Sequence, residues 1–337
     1  MDVFALTRKL VDIKSTTGEE AAVAKALAAQ LEHLGYDVER MPVEAGRFNL
    51  WAKQPGRSRP ELALSTHMDT VPPHIPSSET GDRIYGRGSC DAKGIIAAQI
   101  AAAEKLKAEG IHVGLLFLVG EERDSQGAQT ANQQPRGTKF LINGEPTENK
   151  LALASKGTLR VELTARGKMA HSAYPQLGES AIEKLLDALE NIRKLDLPNN
   201  PMAGPCTMNI GLIEGGRAPN VIPDYACAHL LFRLVGPAEE LRERITAAAA
   251  GDAEAEFKLE IPYMELGAVP GIGTMIAAFT TDIPALTNWG KPLLIGPGSI
   301  HVAHTEGEYI EKRQLLEAID LYASIARKLL RGQDTIT

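Results

Sequence analysis

The amino-acid sequence predicts an α/β protein into which a smaller α+β domain is inserted. Two observations point to this fold class. Helical patterns alternate with short apolar runs towards both ends of the chain, as they do in α/β folds. From Gly157 the order changes to strand, helix, two strands, helix and strand, which is typical of a small α+β sandwich. We therefore predict a first domain of residues 1–156 and 264–337, with residues 157–263 inserted.

In the first domain, helices are predicted where apolar residues recur at helical spacing, and strands where short apolar runs stand between turn residues. Ser15 to Glu19 is expected to cap the second helix, because Ser and Thr are favoured N-cap residues. The predicted elements are helices at 3–13, from this cap to 33, 94–108, 271–280 and 312–330, and strands at 36–40, 48–52, 62–66, 113–119, 140–142 and 293–295.

In the inserted domain, the same criteria predict two helices and four strands. They are a strand at 159–164, a helix at 180–195, strands at 207–213 and 226–234, a helix at 238–249 and a strand at 256–261.

Composition and charge restrict the class of protein. The 44% of hydrophobic and 23% of charged residues are those of an ordinary globular protein, and no apolar run approaches the ~18 residues of a membrane helix. The net charge of −7 and the lack of a basic cluster argue against a nucleic-acid partner. The N-terminus does not resemble a signal peptide, so we expect a cytoplasmic protein.

The cysteines exclude one kind of metal site. Cys90, Cys206 and Cys227 are too few and too irregularly spaced for a disulfide framework or a Cys-type zinc site. Any metal is therefore expected to be held by His and carboxylate side chains.

Candidate ligands follow the predicted strands at 62–66, 113–119 and 140–142. His67 is followed by Asp69, and a ligating imidazole commonly needs a carboxylate on its other nitrogen. On this segment alone, an incidental histidine in a solvated loop is an equally good interpretation. Glu121 and Glu122 are adjacent carboxylates that repel each other unless cations share their site, although a solvated turn is the alternative. Glu145 follows the third strand.

Two further candidate ligands lie outside those strand ends. Asp91 lies among glycines just before a long helix, where it suits either a helix cap or a metal bridge, and the two roles are compatible. His304 lies near the end of the chain. Together these His and carboxylate side chains form a donor set that suits zinc, with manganese or cobalt as substitutes.

The motifs around these residues resemble the acetylornithine deacetylase and succinyl-diaminopimelate desuccinylase family of two-zinc metallopeptidases, which also contains carboxypeptidase G, aminoacylases and di- and tripeptidases. The resemblance covers nearly the whole chain, and the motifs occur in the family's order. They are His67-x-Asp69-x-Val71-Pro72, Gly86-Arg87-Gly88-x-x-Asp91-x-Lys93-Gly94, Gly120-Glu121-Glu122, Gly144-Glu145-Pro146-Thr147 and Ala303-His304.

The resemblance implies a role for each of these side chains. One zinc ion would be held by His67, Asp91 and Glu145, and the other by Asp91, Glu122 and His304. Asp91 would bridge the two ions, Glu121 would act as general base, and Asp69 would orient His67. Co²⁺ or Mn²⁺ are the expected substitutes for Zn²⁺, and His301 is the alternative to His304 as ligand.

The resemblance also assigns roles outside the metal ligands. It implies a zinc-peptidase-like catalytic domain with a mixed, mostly parallel sheet, and a ferredoxin-like lid that also forms a homodimer. In the lid, His171 would bind the oxyanion, Asn220 would contact the substrate and Arg233 would pair with its carboxylate. The Gly296-Pro297-Gly298 turn would offer backbone N–H groups to a carboxylate.

The expected function is metal-dependent hydrolysis of an amide bond in a small carboxylate-bearing substrate. Deacylation of an N-acyl amino acid is favoured, because the segment from Gly296 to Ile300 followed by Ala303-His304 most resembles the acetylornithine deacetylase branch. A dipeptidase or carboxypeptidase is the alternative. A catalytically silent metal-binding scaffold is a third hypothesis, disfavoured because Glu121 and all the proposed ligands are present.

Overall fold

The computed structural model describes residues 1–56 and 59–332. Its helices are α1 (Val3–Val11), α2 (Ala21–His33), α3 (Lys93–Ala108), α4 (Gln126–Asn132), α5 (Ala181–Arg193), α6 (Glu239–Ala249) and α7 (Lys312–Arg331), with short 3₁₀ helices at Pro175–Leu177 and Ile283–Ala285. In that part of the chain, no helix combines the length and the apolar character needed to cross a membrane.

The strands range from two to ten residues. They are β1 (Asp37–Glu44), β2 (Arg47–Lys53), β3 (Leu62–His67), β4 (Ser78–Glu79), β5 (Arg83–Tyr85), β6 (Gly114–Leu118), β7 (Phe140–Asn143), β8 (Leu151–Ser155), β9 (Gly157–Arg166), β10 (Ala170–His171), β11 (Asn199–Asn200), β12 (Gly204–Pro205), β13 (Thr207–Gly215), β14 (Val221–Ile222), β15 (Tyr225–Leu234), β16 (Glu254–Ile261), β17 (Met264–Glu265), β18 (Thr274–Ala277), β19 (Lys291–Leu294) and β20 (Tyr309–Glu311).

The chain forms two compact units. The first consists of residues 1–153, 266–275 and 281–337, and the second of residues 154–265 and 276–280. The second unit is thus continuous in sequence except for the five residues 276–280. The sequence pattern did not indicate that the chain returns to the second unit there.

The first unit is built on a six-stranded sheet in the order β1-β2-β6-β3-β7-β19. Strands β6, β3, β7 and β19 run parallel, and the β1-β2 hairpin is added antiparallel at one edge. All residues of β3 and β6 are buried, because helices and loops cover both faces of the sheet. The predicted α/β class with a mixed, mostly parallel sheet is confirmed.

Close packing at β6 explains one glycine. Gly114 faces the ring of Trp51 on β2, and an added Cβ would lie 2.0 Å from its Cη2 atom. Trp51 in turn meets Trp289 edge to face, with ring centroids 5.3 Å apart. The tryptophan pair therefore fills a space that is available only because residue 114 has no side chain.

The second unit is built on a four-stranded antiparallel sheet in the order β13-β15-β9-β16. Helices α5 and α6 pack on one face over buried residues of β9 and β15 such as Val161 and Leu230. The element order βαββαβ with this strand order is that of a ferredoxin-like sandwich, as predicted.

The helix predicted at 271–280 is wrong, because this segment contains strand β18. The Leu151 N–H donates to Gly273 O at 2.9 Å, and the Lys156 N–H donates to Ala277 O at 2.8 Å. Gly271 adopts a positive φ of 84°, which does not fit a helix interior. Backbone partners distant in sequence therefore override the short apolar run that suggested a helix.

The predicted cap for α2 is also wrong. The N-cap residue is Glu20, and no side chain caps the helix. Instead, the Ser15 hydroxyl donates to Met68 O at 2.9 Å, and the Thr17 hydroxyl donates to Oδ2 of Asp69 at 2.8 Å. The hydroxyls of this segment therefore hold the loop that follows β3.

Candidate metal centre

Ionisable side chains of the first unit meet where its parallel strands end. His67 is the last residue of β3, Glu121 and Glu122 follow β6, and Glu145 follows β7. Because β3 lies between β6 and β7 and runs parallel to both, their carboxyl ends share one edge of the sheet. Asp91, just before α3, joins this group: ligand atoms of His67, Asp91 and Glu122 all lie within 4.8 Å of one another.

Asp91 lies between two imidazole rings. Its Oδ1 atom is 2.9 Å from Nε2 of His67, and its Oδ2 atom is 3.4 Å from Nε2 of His304. The same His304 nitrogen is 3.0 Å from Glu122. His304, and not His301, is thus the histidine that faces the carboxylates. Asp91 thus directs one carboxylate oxygen towards each of the two histidines.

Glu145 is the fifth candidate ligand, and it is buried. Within residues 1–56 and 59–332, its Oε1 atom has no hydrogen-bond partner. Burial raises the pKa of Glu121, Glu122 and Glu145, and neighbouring carboxylates add to the effect. Within residues 1–56 and 59–332, no Lys or Arg forms an ion pair with these three carboxylates, so a divalent metal bound by nitrogen and oxygen would supply a compensating positive charge.

Asp69 organises the loops that carry these ligands. Its carboxylate accepts hydrogen bonds from the Glu121 N–H at 3.1 Å, the Glu122 N–H at 3.2 Å and the Thr17 hydroxyl. The Nδ1 atom of His67 donates to the main-chain oxygen of Asp69 at 3.0 Å and is 3.5 Å from its carboxylate. The expected orientation of His67 by Asp69 is thus provided mainly by the backbone, while the carboxylate fixes the Glu121-Glu122 turn.

Glu308 is a buried residue of the site that sequence reasoning missed. Its carboxylate accepts hydrogen bonds from the buried Arg87 guanidinium at 2.6 Å and from three backbone N–H groups of the loop that ends at Asp91. Those N–H groups belong to Gly88, Cys90 and Asp91. In the sequence, nothing distinguishes Glu308 from the exposed Glu306 two residues earlier.

Asp282 was missed as well. It is buried, and burial raises its pKa to about 7. Its charge contributes to the raised pKa of both Glu121 and Glu145, so it belongs to the electrostatic surroundings of the centre. Asp282 follows a segment that was predicted as a helix and that contains strand β18, which is why the strand-end pattern did not single it out.

The expected role of the Gly296-Pro297-Gly298 turn requires correction. The Gly296 N–H donates to the Thr147 hydroxyl at 2.9 Å, and the Gly298 N–H donates to the Gln314 side chain at 2.6 Å. Both groups are therefore engaged within the protein and are not offered to a substrate carboxylate. Close packing explains the glycine at position 296, since an added Cβ would lie 2.5 Å from the main-chain carbonyl oxygen of Glu145.

The other three predicted site residues lie in the second unit. His171 is exposed on β10, where it pairs with Val221 of β14, and the Ser172 N–H donates to Asn220 O at 3.1 Å. The structure thus brings His171 and Asn220 into neighbouring segments. Arg233 lies on β15, and its guanidinium donates to the Thr158 hydroxyl at 2.8 Å. The functional roles assigned to these residues remain predictions.

Comparison with known proteins identifies the class of protein. Residues 63–328 match peptidase family M20/M25/M40. A peptidase M20 domain-containing protein of Schizosaccharomyces pombe is 39% identical over 343 residues, which cover 98% of this chain and 85% of that protein. A probable carboxypeptidase of Paracoccidioides brasiliensis is 37% identical over 372 residues, covering 96% and 84%.

A solved structure shows the same fold. Aminopeptidase PepT from Bacillus cereus has a TM-score of 0.82 at 21% identity, and the match covers 97% of this chain and 98% of that one. The present chain belongs to peptidase family M20/M25/M40. It is accordingly a hydrolase of the metallopeptidase class, as the sequence motifs predicted.

Proposed function

We propose that this protein hydrolyses an amide bond adjacent to a carboxylate in a small substrate, with two divalent ions held by one centre. The observation that carries the proposal is the position of Asp91 between His67 and His304, with one carboxylate oxygen towards each ring. His67, Asp91 and Glu145 would hold one ion, and Asp91, Glu122 and His304 the other. Zinc is the proposed native metal.

Glu121 is the proposed general base. When bound, the metal ions would supply positive charge that activates a water molecule and polarises the amide carbonyl. In the described part of the chain, no hydrogen bond or ion pair holds the Glu121 carboxylate, while its main-chain N–H is fixed by Asp69. Glu121 would accept the proton of the attacking water and pass it to the leaving amine.

Arg233 is the proposed partner of the substrate carboxylate. The side chain is partly buried, and burial lowers its pKa. Across residues 1–56 and 59–332, it forms no ion pair, and its hydrogen bond goes to the neutral Thr158 hydroxyl. A partly desolvated guanidinium without a carboxylate partner is suited to bind one in a bidentate manner.

Two substrate classes meet this description. Deacylation of an N-acyl amino acid is our first proposal, because the segment from Gly296 to His304 resembles the acetylornithine deacetylase branch. Carboxypeptidase or dipeptidase activity is the second, favoured by the relative that is named a probable carboxypeptidase. In both cases the bond that breaks lies next to a free carboxylate.

We also propose a homodimer formed through the second unit, in a protein located in the cytoplasm. Strand β13 is an edge strand, and its neighbouring residues Leu212 and Ile213 are 57% and 55% exposed. An exposed apolar edge strand can pair with its own copy about a two-fold axis. Light scattering should show a dimer that Leu212→Lys converts to monomer; a monomeric wild type would refute the proposal.

Release of free amine from a substrate panel tests the activity. The panel contains N-acetylornithine, N-acetylcitrulline, other N-acetyl amino acids, N-succinyl-diaminopimelate, N-blocked dipeptides and free dipeptides, each with added zinc or cobalt and with chelator. Turnover of N-acyl amino acids that chelator abolishes would support the first proposal, and turnover confined to peptides would support the second. Turnover that is insensitive to chelator and to Glu121→Gln would refute the mechanism.

A further inference from the structure

Glu162, Cys227 and His229, three side chains of types that bind metals, lie together in the second unit. They are on the sheet face that α5 and α6 leave uncovered. Along β15, Ala226, Ala228 and Leu230 point into the helix-covered core, so the alternate residues Cys227 and His229 point to the opposite face. Glu162 on β9 is paired directly with His229 and therefore shares that face.

The three side chains are close enough to share one ion. The Cys227 sulfur is 3.9 Å from Nε2 of His229, whereas Oε2 of Glu162 is 3.8 Å from the other ring nitrogen, Nδ1, and a single ion would take only one of the two nitrogens. One ligand atom from each residue lies within 4.8 Å of the others. Ligand bonds of roughly 2.0–2.3 Å in a tetrahedron place ligand atoms roughly 3.3–3.8 Å apart, so the Glu162 or Cys227 side chain would have to rotate towards the nitrogen that binds the ion.

We propose that Glu162, Cys227 and His229 form a separate binding site for Zn²⁺ or a similar borderline divalent ion. A thiolate, an imidazole and a carboxylate are a ligand set that prefers zinc or cobalt over magnesium or calcium. The cysteines do not form a site with one another; the fold instead places a single cysteine beside a histidine and a glutamate. We refer to these three residues as the sheet-face site.

Exposure of the sheet-face site allows an ion to enter from solvent. The Cys227 side chain is buried at the base, whereas the Glu162 and His229 side chains retain 26% and 37% exposure. Three protein ligands leave the fourth tetrahedral position for water. Glu214 of β13 is paired with Cys227 and so projects from the same face.

Lys258 is a charged neighbour that opposes binding. Its ammonium group on β16 is 3.6 Å from Oε1 of Glu162 and also pairs with Glu256. Oxygen Oε2 of Glu162, which faces His229, stays available as a ligand. Removing the Lys258 charge should therefore strengthen metal binding, whereas removing a ligand should weaken it.

Cobalt spectroscopy separates the sheet-face site from the proposed centre in the first unit, whose ligand set contains no cysteine. The metal-free full-length protein is titrated with Co²⁺, and the thiolate-to-cobalt charge-transfer band in the near ultraviolet is recorded. The wild type should show the band, and Cys227→Ser should lack it. His229→Ala and Glu162→Gln should weaken the Co²⁺ affinity that the band reports by about tenfold or more.

Cys206→Ser is the matched control, because Cys206 is another buried cysteine of the second unit and lies outside the group. It should keep the band, and Lys258→Met should tighten binding by about tenfold. A wild type without the band, or a band that survives Cys227→Ser and therefore arises from Cys90 or Cys206, would overturn the proposal. Turnover by the first unit does not enter this readout, so the outcome is independent of the proposed activity.

Discussion

The protonation states around Asp91 differ because the residues differ in their partners. Asp91 and Glu121 are both shielded from solvent, and this burial alone would raise the pKa of each carboxyl group. Hydrogen bonds from His304 and His67 outweigh burial at Asp91 and lower its pKa. Among the described residues, none donates a side-chain hydrogen bond to Glu121, and burial together with neighbouring carboxylates raises its pKa well above the usual range. One carboxylate thus stays charged to hold cations, while its neighbour is suited to carry a proton.

Replacement of Glu121 by Gln should reduce turnover by about 10²–10⁴-fold, the usual loss when a general base is removed. Metal content should stay unchanged, because Glu121 is not among the proposed ligands. Turnover and metal content measured on the same preparation check both statements. Glu306→Gln is the control, since Glu306 is exposed; full activity in Glu121→Gln would contradict the assignment.

Metal binding should release protons and strengthen as the pH rises. Hydrogen bonds that the His304 ring donates to the carboxylates of Asp91 and Glu122 raise the pKa of His304 from 6.5 to about 10, so in the metal-free protein its imidazole is protonated at pH 7. The attraction between the protonated His304 ring and the carboxylates of Asp91 and Glu122 stabilises the metal-free protein. It is fully present below pH 6.5 and is lost as the pH rises through about 10. A ligating imidazole must be neutral, so the ion competes with the proton in this window.

Calorimetric titration of zinc into the metal-free protein checks this expectation. At pH 7, the heat should depend on the ionisation enthalpy of the buffer, corresponding to release of about one proton or more. The release should diminish as the pH approaches 10. Heats that are identical in all buffers at pH 7 would show that His304 is not protonated in the metal-free protein.

Some residues of the site could be predicted from the sequence, and others could not. His67, Asp91, Glu122, Glu145 and His304 stand in motifs, so the sequence identified the side chains that the fold then brings together. Glu308 and Asp282 could not be found, because their importance comes from burial and from partners distant in sequence. The N–H groups of Gly296 and Gly298 are occupied by Thr147 and Gln314, contacts that no local pattern specifies.

At the scale of elements, the loop that ends at Asp91 is held in place by the carboxylate of Glu308. Three N–H groups of the loop and the Arg87 guanidinium converge on Glu308. The loop leads directly into α3, which begins at Lys93. A loop fixed in this way carries Asp91 on a rigid support.

Replacement of Glu308 by Gln should destabilise the protein by about 3–5 kcal/mol, because it leaves the buried Arg87 charge without its partner. Zinc affinity should fall together with stability, since the loop carries Asp91. Chemical denaturation and zinc titration of the variant measure the two effects. Glu306→Gln should change neither, and a Glu308→Gln variant of wild-type stability would contradict this account of the loop.

Packing between β2 and β6 gives a second expectation at this scale. Gly114→Ala should displace the Trp51 ring and cost about 1–3 kcal/mol of stability, because an added methyl group overlaps the indole. Gly81→Ala is the matched control, since an added Cβ there meets no atom within 4 Å. Urea denaturation of both variants provides the measurement, and equal stabilities would contradict the packing argument.

Elements were predictable where their stabilising pattern is local. The buried strands β3, β6 and β7 follow from continuous apolar runs, and α3 and α7 follow from helical spacing. Strand β18 could not be predicted in the same way, because its hydrogen bonds go to residues more than a hundred positions earlier. The prediction of the α2 cap was wrong for a related reason, since Thr17 forms its hydrogen bond with Asp69 and not with the helix.

At the scale of the whole molecule, each unit has its own hydrophobic core. The core of the second unit is formed by its strands β9 and β15 and helices α5 and α6. We expect residues 154–265 alone to fold, because a domain with its own core does not depend on the rest of the chain. Circular dichroism should show cooperative thermal unfolding of this fragment; an unfolded fragment would show that residues 276–280 or the first unit are required.

The position of His304 in the chain has a consequence for biosynthesis. The other four candidate ligands precede the second unit in the sequence, whereas His304 follows it. On the ribosome, the nascent polypeptide therefore acquires its last ligand only after the inserted unit has been translated. A chain that has not yet been translated as far as His304 therefore lacks one of the five candidate ligands and cannot assemble the complete set.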